Sequence, residues 1–154
     1  MAQERLSAQQ PNAWLLDFGQ SIRAAVGARI LLQIIDNPKL LDVPCTPPYC
    51  HSVVAWQGRL LPVMDMAVRL NGLPQTPHYL LVVGHQDSPD EPTRFGALLV
   101  SAAPVAIAVS DAQSCPLPEQ PAGWGKFACS CFEHQGAAIP VLHLGRIFSS
   151  PPDA

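Results

Sequence analysis

Charge is scarce in this chain. Of its 154 residues only 14% are charged, and the formal net charge is −3. No cluster of Lys and Arg stands anywhere along it. Phosphate-led binding needs a basic footprint, so no nucleic-acid partner is expected. Long apolar runs are missing too. The stretch from Ala97 to Val109 is broken by Ser101 and Pro104 and is too short to span a bilayer. Direct membrane insertion is therefore not expected. Met1-Ala2-Gln3-Glu4-Arg5 lacks the charged-then-apolar pattern of a secretion signal, which predicts a cytoplasmic protein. No Ser or Cys has a convincing base near it in sequence, and no phosphate-binding glycine loop exists. We expect neither catalysis nor a cofactor. Five cysteines make an odd count for a disulfide framework. In a reducing compartment they serve as small apolar residues or reactive thiols.

What is present is a repeat. Gln57-Gly58, Pro62-Val63, Asp65-Met66 and Leu70 recur as Gln135-Gly136, Pro140-Val141, His143-Leu144 and Phe148. Every matched pair is 78 positions apart (58 to 136, 62 to 140, 65 to 143, 70 to 148). A unit present only twice predicts two similar half-domains, not a solenoid. Hydrophobic residues at 48% rule out disorder by composition. The length suits one domain, and neither half is long enough to be comfortable alone. The halves should pack together and leave a groove at their junction.

Punctuation by Gly and Pro divides the chain into short strands. Asn12 to Phe18 fits either a helical turn or a strand. Arg29 to Ile35 is β-branched and leucine-rich. Leu40 to Pro48 carries three prolines and must be extended. His51–Trp56 and Arg59–Asp65 form the clearest hairpin, joined by Gln57-Gly58 with the glycine at positive φ. Pro62 cannot donate to a ladder, so its strand belongs at an edge or a bulge. Asp65 is placed to cap a helix from Met66 to Leu70 that Gly72 ends. Residues 71–78 connect the halves. Strands follow at Tyr79–Val83, Phe95–Val100 and Val105–Val109, with an exposed acidic loop at His85–Pro92. Cys115–Lys126 reads as a loop. Phe127–His134 and Ala137–Leu142 repeat the hairpin, and His143–Phe148 repeats the helix. Residues 1–10 read as frayed and 149–154 as a polar tail. The class predicted is all-β with short helices.

The block Val43-Pro44-Cys45-Thr46-Pro47-Pro48-Tyr49, followed by Val53 through Met66, resembles the central signature of CheW-like domains. Gly96-Ala97-Leu98-Leu99-Val100-Ser101 is similar to a Gly-x-x-Val-Asp strand of that family, and the last hairpin and helix to its C-terminus. The resemblance covers roughly residues 20 to 150. It implies two intertwined five-stranded SH3-like barrels. The domain then spans 21–150, with halves near 21–74 and 75–150 that have room to exchange terminal segments. Residues 1–20 precede it and 151–154 trail it. It also implies a non-catalytic adaptor. Such an adaptor couples the cytoplasmic tip of a chemoreceptor to the regulatory domain of a CheA-type histidine kinase.

The same resemblance places partner contacts at Tyr49, Val53, Gln57, Gly58 and Arg59. Gln33 and Ser52 stand where the family has a glutamate and a glycine. Gln57 replaces the family arginine, Ser101 the Val-Asp aspartate, and His143 the Leu-Asp aspartate. If Gln33 and Gln57 replace an ion pair, a neutral hydrogen bond takes its place and the partner should differ. Arg59 is placed to supply the missing charge.

Plainer readings stand beside these. Gln57-Gly58 serves equally as a simple turn, and Gln135-Gly136 supports that. Cys50, Cys129, Cys131 and His134 suggest an alternative, a metal- or redox-responsive module. Cys129 and Cys131 share a strand face by the two-residue period. The spacings are weak for a metal, and buried inert thiols are the commoner case. Trp56 suits the cover of a barrel end, while Trp124, in its Gly/Pro loop, is the better interface anchor. The Asp87–Glu91 run is either a partner-selecting patch or a solvated loop. Asp65 reads as a cap, whereas His143 at the matching place reads as a poor one.

Overall fold

The computed structural model describes residues 10–73 and 78–149. Residues 1–9 of the expected frayed start, 74–77 of the 71–78 connection and 150–154 of the polar tail lie outside the described residues. The strands are β1 (Ala13–Asp17), β2 (Arg23–Gly27), β3 (Leu31–Asp36), β4 (Leu41–Asp42), β5 (Ser52–Trp56) and β6 (Arg59–Met64). They continue with β7 (Tyr79–His85), β8 (Arg94–Val100), β9 (Val105–Ile107), β10 (Ala128–His134) and β11 (Ala137–Leu142). Three short helices stand among them: α1 (Met66–Asn71), α2 (Trp124–Phe127) and α3 (Leu144–Ser149).

The strands form two sheets, and the class is all-β. One sheet has five strands in the order β10-β11-β2-β1-β9. The other has six, β3-β7-β8-β6-β5-β4. The sixth strand, beyond the five expected, is β4, where Leu41 and Asp42 pair with Val53 and Ser52. The repeat and the sheets divide the chain differently. The 78-residue offset separates hairpin from hairpin. The five-stranded sheet joins the two ends of the chain, and the six-stranded sheet holds the middle.

Burial on both faces explains why the segment from Asn12 to Phe18 fits two periods, and β7 is built the same way. In β1, Leu16 and the following Phe18 sit in a central core while Leu15 packs inside the five-stranded sheet. In β7, Leu81 and Val83 face the central core, and Leu80 and Val82 fill the six-stranded sheet. A strand covered on both faces reads as a continuous apolar run, not an alternation. The central core takes residues from both sheets and from all three helices, including Met66, Phe127 and Ile147. The two sheets therefore share one core.

The two prolines resolve alike. β6 is neither the edge strand nor the bulged strand that Pro62 predicts: it lies inside its sheet, between β8 and β5, and its parallel ladder with β8 begins only at Val63↔Ala97. Pro62 faces Val53 on β5 and stands just before that ladder. Pro140 faces Cys131, and the parallel bond to β2 begins one residue later, at Val141↔Ala25. Each proline occupies the last position where no ladder donor is needed.

Candidate functional site

The Gln57-Gly58 turn is built by the twist of its strands. Gln57 has φ 49° and Gly58 φ 75°, the paired left-handed values of the tight turn that matches right-handed strand twist. A Cβ on Gly58 would touch nothing within 4 Å, so backbone conformation, not crowding, asks for glycine there. Trp56 and Arg59 face each other at the turn's base. The Trp56 indole Nε1 donates to Oε1 of Gln33 at 2.8 Å. Its ring meets Phe95 at 5.4 Å between centroids. The Arg59 guanidinium lies over Phe95 at 4.7 Å. A row thus runs Gln33–Trp56–Phe95–Arg59 across β3, β5, β8 and β6. β3 is one end of the six-stranded sheet and β5 lies next to the other, so the Trp56–Gln33 bond draws the ends together. Trp56 covers the end of the sheet's interior, as expected of it.

The corner is exposed and mixed in character. Leu60 is 64% exposed, and Leu32 and Ile34 on the edge strand β3 are also open. Beside it lies a groove of about 340 Å³ lined by Arg59, Leu60, Pro62, His85, Phe95 and Phe148, with Arg94 at its rim. Phe148 reaches it from α3 because Gly96 has no side chain; a Cβ there would stand 2.7 Å from the Phe148 ring. His85 stacks on Phe148 at 6.0 Å. Its side chain is 6% exposed, and neither ring nitrogen has a hydrogen-bond partner. Burial pushes the His85 pKa below its ordinary value, against the pull of Asp87. The groove therefore offers aromatic walls and the Arg59 guanidinium, while Arg94 is paired with Asp87 at 3.7 Å and the His85 nitrogens, one of them 4.0 Å from Asp87, are buried beneath it. Such a surface suits an apolar segment carrying carbonyl or carboxylate groups.

The structure gathers only some of the residues expected to bind. Gln33, Gln57, Gly58 and Arg59 meet at the corner. Gln33 bonds Trp56, so the anticipated Gln33–Gln57 hydrogen bond is not the one formed. Val53 is half-buried between Leu41 and Pro62. Ser52 is buried, 4% exposed. Tyr49 lies beyond the other end of β5, in a 3-10 turn at Pro48–Cys50. Its ring stacks on Arg69 at 4.4 Å, and Phe127 covers the same guanidinium at 4.4 Å. Arg69 Nη1 then donates to the Ile147 carbonyl at 3.0 Å. Phe95, His85, Arg94 and Phe148 were missed as site residues. His85, expected in the exposed acidic loop, instead ends β7 and is buried.

Other expectations need correction. Trp124 is not an interface anchor: it is 3% exposed and begins α2 in the central core. Cys129 and Cys131 do not share a face. A bulge between Ala128 and Ser130 shifts the β10 register, leaving Cys129 exposed and Cys131 buried. Cys50 stands near Arg69, outside β10. Among the described residues no three His, Cys, Asp or Glu side chains converge to hold a metal, so the Cys50, Cys129, Cys131 and His134 set does not assemble. His143 does cap its helix. Its Nδ1 accepts from the Arg146 N–H at 3.2 Å, as Asp65 Oδ1 accepts from Val68 N–H at 3.2 Å. Burial raises the Asp65 pKa, and the capping hydrogen bonds oppose it.

The CheW-like domain family matches residues 23–151. The chain belongs to the CheW-like domain family. Among solved structures, the scaffolding protein TtCheW from Thermoanaerobacter tengcongensis is similar at TM-score 0.73 with 14% identity. The alignment covers 93% of this CheW-like chain and 96% of TtCheW. At that identity the likeness speaks for the fold. No curated protein matches. Among the described residues, no helix of this CheW-like chain is long and apolar enough to cross a membrane.

Proposed function

We propose that this CheW-like chain is a non-catalytic, cytoplasmic adaptor in chemosensory signalling. It couples the cytoplasmic tip of a receptor to the regulatory domain of a CheA-type histidine kinase. Family membership over residues 23–151 supports the adaptor role. The observation that carries the binding surface is the corner where Arg59 lies on Phe95 beside an aromatic-walled groove. Gln33, Gln57, Gly58 and Arg59 form its open edge, and Val53 flanks it. Ser52 and Tyr49 act by position: one is buried at the start of β5, and the other anchors that end of the strand through Arg69.

The mechanism is coupling by differential affinity. A receptor state that binds the adaptor–kinase pair more tightly shifts the kinase toward the state it favours, and the linkage is reciprocal. Replacement of arginine by Gln57 removes a bidentate donor from the turn, so the cation presented to a partner is Arg59. Titration calorimetry of the purified chain with the regulatory domain of a kinase from the same cell tests this. Saturable binding at micromolar concentration is expected. A flat trace at high micromolar concentration of both proteins overturns it.

A further inference from the structure

We propose that Cys115 and Cys131 are a redox-active pair that closes an intramolecular disulfide, a modification site on the five-stranded sheet. Their sulfurs already touch, with Sγ to Sγ at 3.5 Å. The backbone holds them in register. Ser114 and Phe132 form an isolated antiparallel bridge, and the Cys115 N–H donates to the Cys131 carbonyl at 3.0 Å. Cys115 and Cys131 are thus direct cross-strand neighbours. Hydrogen-bonded positions of that kind have Cα atoms about 5.5 Å apart, within the span a disulfide bridges. Closing the bond asks the sulfurs to approach by about 1.5 Å, a rotation of two side chains without a change of pairing.

The two thiols differ in access. Cys115 is half-buried and Cys131 is 5% exposed. Burial pushes the Cys131 thiol up to about 12, and the adjoining Cys115 adds to it. Cys115 therefore meets oxidant first. With a peroxide as oxidant, the Cys115 sulfur takes one peroxide oxygen to become a sulfenic acid, and one water leaves. The Cys131 sulfur then attacks the Cys115 sulfur. The S–S bond forms, the S–O bond breaks, and the departing hydroxide takes the Cys131 proton as a second water. Two thiols lose two electrons and the peroxide gains two. A thiol reductant reverses the step by exchange.

The cross-link acts on one wall of a cavity. Ser110, Asp111 and Ser114 face Ser130, Cys131 and Phe132 across a space of about 280 Å³. Bonding Cys115 to Cys131 adds a covalent tie between the 110–115 segment and β10, beside the Ser114–Phe132 bridge and the hydrogen bonds from Cys115 N–H to the Cys131 carbonyl and from Gln113 Nε2 to the Glu133 carbonyl. The corner at Gln57–Arg59 lies on the other sheet, so this proposal stands apart from the adaptor reading.

The test uses the full chain with Cys45→Ser, Cys50→Ser and Cys129→Ser, leaving only the pair. Dilute hydrogen peroxide should remove both thiols together. The mass should fall by two hydrogens, the protein should stay monomeric, and dithiothreitol should restore both thiols. Amide exchange across residues 110–115 should slow on oxidation. Non-reducing peptide mapping of the peroxide-treated natural sequence provides a second measurement and should yield a Cys115–Cys131 peptide. Oxygen addition without loss of the second thiol, cross-linked dimers, or a map lacking that peptide overturns the proposal. None of these outcomes bears on kinase binding.

Discussion

The two copies of the hairpin-and-helix unit share a backbone and differ in what they carry. Both turns take paired positive φ, 49° and 75° in one and 52° and 81° in the other. The Asp65 N–H donates to the Tyr49 carbonyl at 2.8 Å, and the His143 N–H to the Phe127 carbonyl at 2.7 Å. All four positions keep the 78-residue offset. The aromatics at the two ends of that offset, Tyr49 and Phe127, both pack on the Arg69 guanidinium, each at 4.4 Å. Arg69 itself has no twin, because position 147 is a buried isoleucine. The turns differ too. Trp56 and Arg59 flank the first; His134 and Ala137 flank the second. A duplicated frame thus bears one decorated corner, which separates residues needed for the turn from residues free to specify a partner.

Breaking the junction of the copies should have the largest effect on stability. Arg69→Ala removes two ring contacts and a charge-assisted hydrogen bond, and should cost about 3 kcal/mol in denaturant unfolding. An unchanged midpoint would show that the stack is incidental. Gly96→Ala forces the Phe148 ring out of its seat and should cost about 2 kcal/mol. Its signature is solvent exposure of His85, seen as a histidine titration nearer its ordinary value. The caps compare the copies directly. Asp65→Ala should lose about 1 kcal/mol and His143→Ala about half of that, because a neutral ring nitrogen is the weaker acceptor at a helix start. Equal losses would erase the distinction between the copies.

The smallest effect is in pH dependence. Burial lowers the folded pKa of His85, so its neutral form is favoured in the native state. Above the unfolded histidine value, about 6.5, it carries no penalty. As pH falls below that value the unfolded chain takes a proton that the folded chain refuses, and stability drops until the folded pKa is passed. His85→Phe keeps the stack on Phe148 and should flatten this acid-side slope. A slope that persists unchanged assigns it to other groups.

Much of the frame was legible because it rests on local chemistry. Gln-Gly fixes a two-residue turn, and Asp65 and Gly72 bracket a helix; Pro62 misleads, since it predicts an edge or a bulge and β6 lies inside its sheet without one. Gly72 closes α1 at φ 78° with its N–H on the Val68 carbonyl at 2.7 Å. β2 was not foreseen: Arg23-Ala24-Ala25-Val26-Gly27 has little β propensity, and its pairing with β1 and β11 makes it a strand. The bulge in β10 was also invisible: the inserted residue breaks the alternation, leaving Cys129 and Ser130 both exposed and Cys131 and Phe132 both buried, and no Gly or Pro in the strand announces it. The corner was half legible. The turn marked Gln57, Gly58 and Arg59, but Phe95, His85 and Phe148 come from β8, β7 and α3, far off in sequence. Only the folded sheet brings them to Arg59. His143 was misjudged because its capping depends on which ring nitrogen faces the helix.

One paired measurement tests the central claim that function resides in the first copy's corner. Arg59 and Ala137 hold the same place in the two copies, 78 positions apart. Arg59→Glu and Ala137→Glu are each titrated by calorimetry against the kinase regulatory domain. Arg59→Glu should weaken binding by about tenfold or more, the scale of an interface charge reversal, and Ala137→Glu should leave it unchanged. Equal weakening by both, or by neither, would contradict the account.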